Sequence, residues 1–154
     1  MKYRNKYFEK IGYNKPFSAD VLCKYRKDKT DDRYELFKKQ RAKYGRWDET
    51  CTWALNTFIA ESLYTWLNLY VESAAEPKHT FCVDLDFYDF EIEFDGTNTI
   101  KTEREWIMEA LSLIKEYLLT VDSFDPPAEE FGHKCMERAL IIIGKIFPTL
   151  WWRR

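Results

Sequence analysis

A capping box opens the most constrained stretch of this chain. Thr102-Glu103-Arg104-Glu105 places a hydroxyl three residues ahead of a carboxylate, and Ile107, Leu111, Ile114 and Leu118 follow on one stripe at three- and four-residue steps. Such spacing is buried along a single helical face, so the rest of the chain must supply apolar surface for that face to pack against. Two other segments offer it. Asp48 or Thr50 caps a run in which Leu55, Ile59, Leu63, Trp66, Leu67 and Tyr70 share a face, which predicts a long helix. Asp125 followed by Pro126 and Pro127 restarts a helix in the manner of a cap with proline at its first position. The interior of that helix, Ala139 to Phe147, is apolar on nearly every side, which predicts a path through the middle of the fold until Pro148 ends it.

The remaining elements rest on shorter patterns. Ser18 predicts a cap for a short helix over Ala19 to Lys27, and Thr30, Asp31 or Asp32 a cap for another over Arg33 to Lys43, stopped by Gly45. Residues 1 to 17 mix cations and rings with Gly12 and Pro16 in no regular period, the pattern of an irregular arm. After Glu76-Pro77 the period changes to two: Phe81, Val83, Leu85 and Phe87 alternate with polar residues, as do Phe90, Ile92 and Phe94 ahead of Gly96. This predicts two strands joined tightly at Tyr88-Asp89. The expected fold is mainly α, a helical bundle with one small antiparallel β-hairpin. One domain is expected over residues 1–154, with residues 1–30 as a basic aromatic N-terminal arm. At 154 residues and 18% aromatic, the chain has ring surface enough for a core.

Charge is segregated. Residues 1–47 carry 15 basic and 6 acidic side chains, a net of +9, against −11 for the remainder. A cationic first third meets either an external anion or the acidic body of its own chain. Cys23, Cys51, Cys82 and Cys135 are scattered without a C-x-x-C pair, and MKYRNKYFEK lacks an apolar signal core, so reduced thiols in a cytoplasm are expected. No apolar run approaches the length of a membrane span, and no membrane partner is expected.

Catalytic signatures are missing from the sequence. There is no Gly-rich phosphate loop, no G-x-S-x-G elbow and no H-E-x-x-H helix. His133 and Cys135 stand two apart on a predicted helix and so face different ways, and His79 has no motif around it. Asp84, Asp86, Asp89, Glu91, Glu93 and Asp95 would project several carboxylates from strand faces, but their spacing fits no EF-hand and no common metal-dependent nuclease pattern. A solvated or salt-bridged face is the default; a divalent-metal hydrolase using Asp84, Asp86, Glu91 and Glu93 is the enzymatic alternative. No catalytic residue, metal ligand or cofactor is assigned.

The richest binding signal is the stretch from Lys38 to Trp53. Lys38, Lys39, Arg41, Lys43 and Arg46 surround Tyr44, Trp47 and Trp53 near a glycine turn and a helix start. Those residue types hold nucleotides: cations take phosphates, flat rings stack on bases, and helix N-termini offer free amide donors. The alternative is that Trp47 and Trp53 only wedge two helices together. The closing Leu150-Trp151-Trp152-Arg153-Arg154 is either a cap on the core or an apolar contact for another copy, so an oligomer through Trp151 and Trp152 is one expectation.

Several of these positions carry a resemblance. Arg41-Ala42-Lys43-Tyr44-Gly45, Asp48-Glu49-Thr50, Thr52-Trp53-Ala54-Leu55 with Ile59-Ala60, Glu105-Trp106 with Leu111, and Phe147 with Leu150-Trp151 resemble a group of small uncharacterised proteins encoded by tailed bacteriophages. The likeness spans about residues 34 to 151; residues 1 to 30 and the acidic strands stand outside it. That group has no assigned chemistry, so no functional residue is carried over. The resemblance implies a viral gene expressed in the host bacterial cytoplasm, where accessory proteins disable defences. The leading expectation is a protein that inhibits or sequesters a host-defence component: a nuclease effector, its guide complex or a nucleotide signal. A nucleic-acid-binding protein using the basic first third is the rival, and a structural virion protein a further one.

Overall fold

The computed structural model describes residues 4–18, 25–75 and 84–150. Trp151, Trp152, His79, Cys23, Cys82, Phe81 and Val83 therefore lie outside the described residues. The chain is mainly α with one two-stranded antiparallel sheet, as its periodicities predict. It divides into two compact units, one of Met1–Tyr13 with Leu63–Arg154 and one of Asn14–Ser62. Among the described residues no helix is long and apolar enough to cross a membrane.

The first unit is built on two helices, α4 (Glu103–Thr120) and α5 (Pro126–Ile146). Thr102 caps α4 through the full capping box, its hydroxyl accepting from the Glu105 amide while the Glu105 carboxylate accepts from the Thr102 amide. Ile107, Leu111, Ile114 and Leu118 are all buried, and the packed face of α5 answers with Met136, Ala139, Ile142 and Ile146. Gly132 marks the closest approach of the two: a Cβ there would meet Thr120 Oγ1 at 1.9 Å. α5 lies at the side of this core rather than through its middle. Leu140, Ile141 and Phe147 face outward, because one apolar flank suffices to pack against α4.

The hairpin precedes α4 and differs from the predicted one. Its strands are β1 (Asp89–Phe94) and β2 (Thr97–Thr102), paired Phe94 to Thr97 around Asp95-Gly96. Both turn residues have positive φ, 52° and 78°, the primed-turn geometry whose twist matches that of the strands; an aspartate tolerates it and glycine favours it. The chain therefore reverses at Gly96, and the β-branched Thr97, Thr99, Ile100 and Thr102 form the partner strand. Residues 84–88 are turn and bend: the Asp84 carboxylate accepts the Asp86 amide at 2.9 Å and folds the chain there. Ile92 and Trp106 fill the space under the sheet, Trp106 donating from Nε1 to the Phe90 carbonyl at 2.9 Å.

The expected irregular arm contains a short helix, α1 (Lys6–Ile11). Asn5 caps it by accepting the Tyr7 and Phe8 amides, and left-handed Gly12 ends it. Its single buried residue, Phe8, packs edge-on to Tyr13 and stacks 6.0 Å from Tyr64. Six residues carry too little periodicity to be read. Lys6 and Tyr7 both donate to Glu72, and burial, with the Glu72 contact behind it, pushes the Tyr7 phenol up to about 12.

The second unit contains α2 (Tyr34–Lys43) and the first turns of α3 (Leu55–Ala75), which runs on past Ser62. Ser18 and residues 25–27 are helical, with residues 19–24 outside the description. None of the expected acceptors caps α2. Arg33 holds the cap position with no side-chain bond, because the Asp31 carboxylate is turned onto the Arg33 guanidinium and amide. α3 also differs from expectation. Asp48 caps a 3-10 turn over Glu49–Thr52, and α3 starts only at Leu55. Its buried positions are Ala60, Glu61, Tyr64, Leu67 and Ala74, whereas Leu55, Ile59 and Trp66 are exposed. The helix carries apolar residues on more than one stripe, and the one with small alanines is the one that packs closely.

Candidate functional site

The predicted site residues all lie in the second unit, and the structure sorts them into two groups. Arg41 and Trp53 face inward. Arg41 Nη1 lies 2.8 Å and Arg26 Nε 3.1 Å from Oδ2 of Asp48, whose side chain has no solvent exposure. Thr50 completes the shell by donating its amide and hydroxyl to the same carboxylate. Burial opposes the charge on Asp48, but the hydrogen bonds from Thr50 and Arg41 and the charge of Arg26 outweigh it and hold the carboxyl below the usual range. Trp53 is wedged between Tyr25 and Phe37, 5.2 and 6.0 Å between ring centroids, with the Arg33 guanidinium 5.2 Å from its ring. It packs, as the alternative reading of the tryptophans requires.

The other six face out. Lys38, Lys39, Lys43, Tyr44, Arg46 and Trp47 are exposed along the C-terminal half of α2 and the turn after it. Local folding explains the arrangement. Lys39 and Lys43 are four apart and share the outward face of α2, and Lys38 lies on its flank. Then Gly45 takes a left-handed conformation at φ 62°, and the Arg46 amide reaches back to the Arg41 carbonyl at 2.9 Å, the six-to-one bond of a Schellman cap. Arg46 itself sits at φ 83°, a conformation an arginine rarely adopts. The turn thereby swings Arg46 and Trp47 out beside Tyr44, whose ring is covered by the Lys43 ammonium at 5.1 Å.

Neutralisation separates this surface from the arginines and Lys6 of the first third, although Lys10, Lys27 and Lys29 are exposed and also form no ion pair among the described residues. Arg26 and Arg41 serve Asp48, Arg33 serves Asp31, and Lys6 serves Glu72. Among the described residues, Lys38, Lys39, Lys43 and Arg46 form no ion pair, and Glu35, the one carboxylate of α2, takes none of them. Leu36, 45% exposed and three residues before Lys39 on the same face, adds an apolar contact that the sequence reading missed; its i, i+3, i+7 relation to Lys39 and Lys43 was the available signal.

The acidic residues do not converge. Asp86 pairs with Arg104, and Asp95 lies 4.0 Å from Arg138. Asp89, Glu91 and Glu93 face out from β1, opposite Thr102, Ile100 and Asn98. Among the described residues no group of three or more His, Cys, Asp and Glu side chains is placed to hold a metal ion. His133 is exposed against the Tyr117 ring while Cys135 is buried, so the two do not act together.

Comparison with known protein families, with curated proteins and with solved structures found no match to this chain.

Proposed function

We propose that this protein is a phage-type accessory protein that acts by binding, and that it engages a negatively charged face of a bacterial defence component through Lys38, Lys39, Lys43, Tyr44, Arg46 and Trp47. The observation that carries the reading is the set of four cations left without carboxylate partners among the described residues, beside two rings more than half exposed. Un-neutralised charge steers an anionic partner to the surface, and the rings and Leu36 supply contact area once it arrives. The phage resemblance supplies the setting. A face this open suits a macromolecule better than a small nucleotide, which needs a pocket to enclose it.

Exposed rings among cations also favour a second reading, a nucleic acid tracked along its backbone with bases stacked on Tyr44 and Trp47. One experiment separates the two. Bacterial lysate is passed over the immobilised chain and over a Lys38→Glu, Lys39→Glu, Lys43→Glu, Arg46→Glu version, with and without nuclease. A protein retained only by the natural sequence and indifferent to nuclease supports the first reading. Retention lost with nuclease supports the second, and identical retention by both baits removes this surface from the function.

A further inference from the structure

The first unit holds a groove of about 610 Å³ along α4 and α5, beside the hairpin turn. Its apolar lining is Phe94, Leu113, Phe131, Cys135 and Ile141, and Phe131 and Ile141 remain 54% and 43% exposed. The α5 side, from Phe131 to Ile141, covers roughly 15 Å of helix, and the α4 side, from Glu109 to Glu116, roughly 10 Å. The groove is thus two to three helical turns long, with apolar and charged residues both in its lining.

Its banks are acidic. Asp95, Glu109, Glu116 and Glu137 stand against Lys134 and Arg138, a surplus of two negative charges. Arg138 lies 4.0 Å from the Phe94 ring centroid and within 4.0 Å of both Glu109 and Asp95, and Glu109 also takes Lys101. Lys134 pairs with Glu130. Glu116 on one bank and Glu137 on the other form no ion pair among the described residues. The thiol in the groove is quiet: burial, then the Glu116 carboxylate, pushes Cys135 up.

We infer that this groove binds a cationic amphipathic helix presented by a partner protein. An apolar helical stripe fills a groove of this length, and Lys or Arg residues flanking the stripe meet Glu116 and Glu137, which have no internal partner to give up. An acidic helix of the same shape is repelled. This site is distinct from the cationic surface of the other unit in position and opposite to it in charge, so the chain would carry two recognition surfaces of opposite sign.

The test uses the full isotope-labelled chain and two synthetic amphipathic peptides of about 18 residues with the same Leu and Phe stripe, one flanked by Lys and one by Glu. The Lys peptide is expected to shift amide signals of Glu109–Glu116 and Phe131–Ile141, and the Glu peptide to shift none. Glu116→Lys with Glu137→Lys should weaken the Lys peptide at least tenfold without lowering the melting temperature; if that variant melts early, Glu116→Gln with Glu137→Gln should still weaken it about threefold. Equal behaviour of the two peptides, shifts confined to other residues, or undiminished affinity in the variants overturns the inference.

Discussion

The two units differ in what packs at their centres, although each encloses a carboxylate, Glu103 in the first and Asp48 in the second. Where α4 meets α5, the core is aliphatic, with Ile107, Leu111, Ile114 and Leu118 facing Ala139, Ile142 and Ile146. In the unit of Asn14–Ser62 a carboxylate with no solvent exposure is held by two arginines and a threonine, next to a cluster in which one guanidinium lies over three rings. The first kind of core asks only for shape and periodicity. The second asks for every partner at once, because a buried charge that loses a partner costs more than a lost methyl group. Its reward is a helix whose outer face is free to carry unneutralised cations.

Removal of the largest buried side chain should hurt the first unit most. Trp106→Ala deletes a fully buried indole and its hydrogen bond to the Phe90 carbonyl, and a loss of about 4 kcal/mol is expected from denaturant unfolding. The polar unit should follow closely. Asp48→Asn leaves Arg26 and Arg41 without their counter-charge, at a cost of about 3 kcal/mol. Acid sharpens the contrast. The Asp48 carboxyl is held below its ordinary 3.8, so its contribution is present above that value and disappears as the pH falls through the folded-state value. The Thr50 amide signal should record this loss in the natural chain, and Asp48→Asn should lack that step.

Smaller effects probe where the backbone is tight. Gly132→Ala forces a methyl onto Thr120 Oγ1 and should cost about 2 kcal/mol in a thermal melt, with much of it returned by adding Thr120→Ala. Gly45→Ala meets no neighbour but must keep φ at 62°, so it should cost about 1 kcal/mol. A Gly45→Ala variant as stable as the natural chain would mean that the turn presenting Arg46 and Trp47 adapts rather than being fixed.

Legibility follows the same division. The capping box at Thr102, the stripe from Ile107 to Leu118 and the proline start at Pro126 were readable because each is a local rule with a fixed spacing. The hairpin was misplaced for want of one such rule, since Asp95-Gly96 between alternating residues is a turn signal that outweighs alternation alone. The buried stripe of α3 was not readable, because its apolar residues occupy several faces and only tertiary packing chooses Ala60, Tyr64 and Leu67. In the candidate site, residue types alone did not sort the buried positions from the exposed ones. Nothing local distinguishes Arg41, committed to Asp48 seven residues away, from Lys43, which points to solvent; that distinction depends on where Arg26 and Thr50 come to lie.

The most direct measurement is the dissociation constant of the full chain for the component it retains from lysate, compared with that of Lys43→Glu, Arg46→Glu. Both residues are exposed and form no ion pair among the described residues, so stability should change by less than about 0.5 kcal/mol. Affinity should fall at least tenfold, and the natural chain should weaken as salt rises while the variant responds less. Equal affinity of the two, at equal melting temperature, would contradict the account.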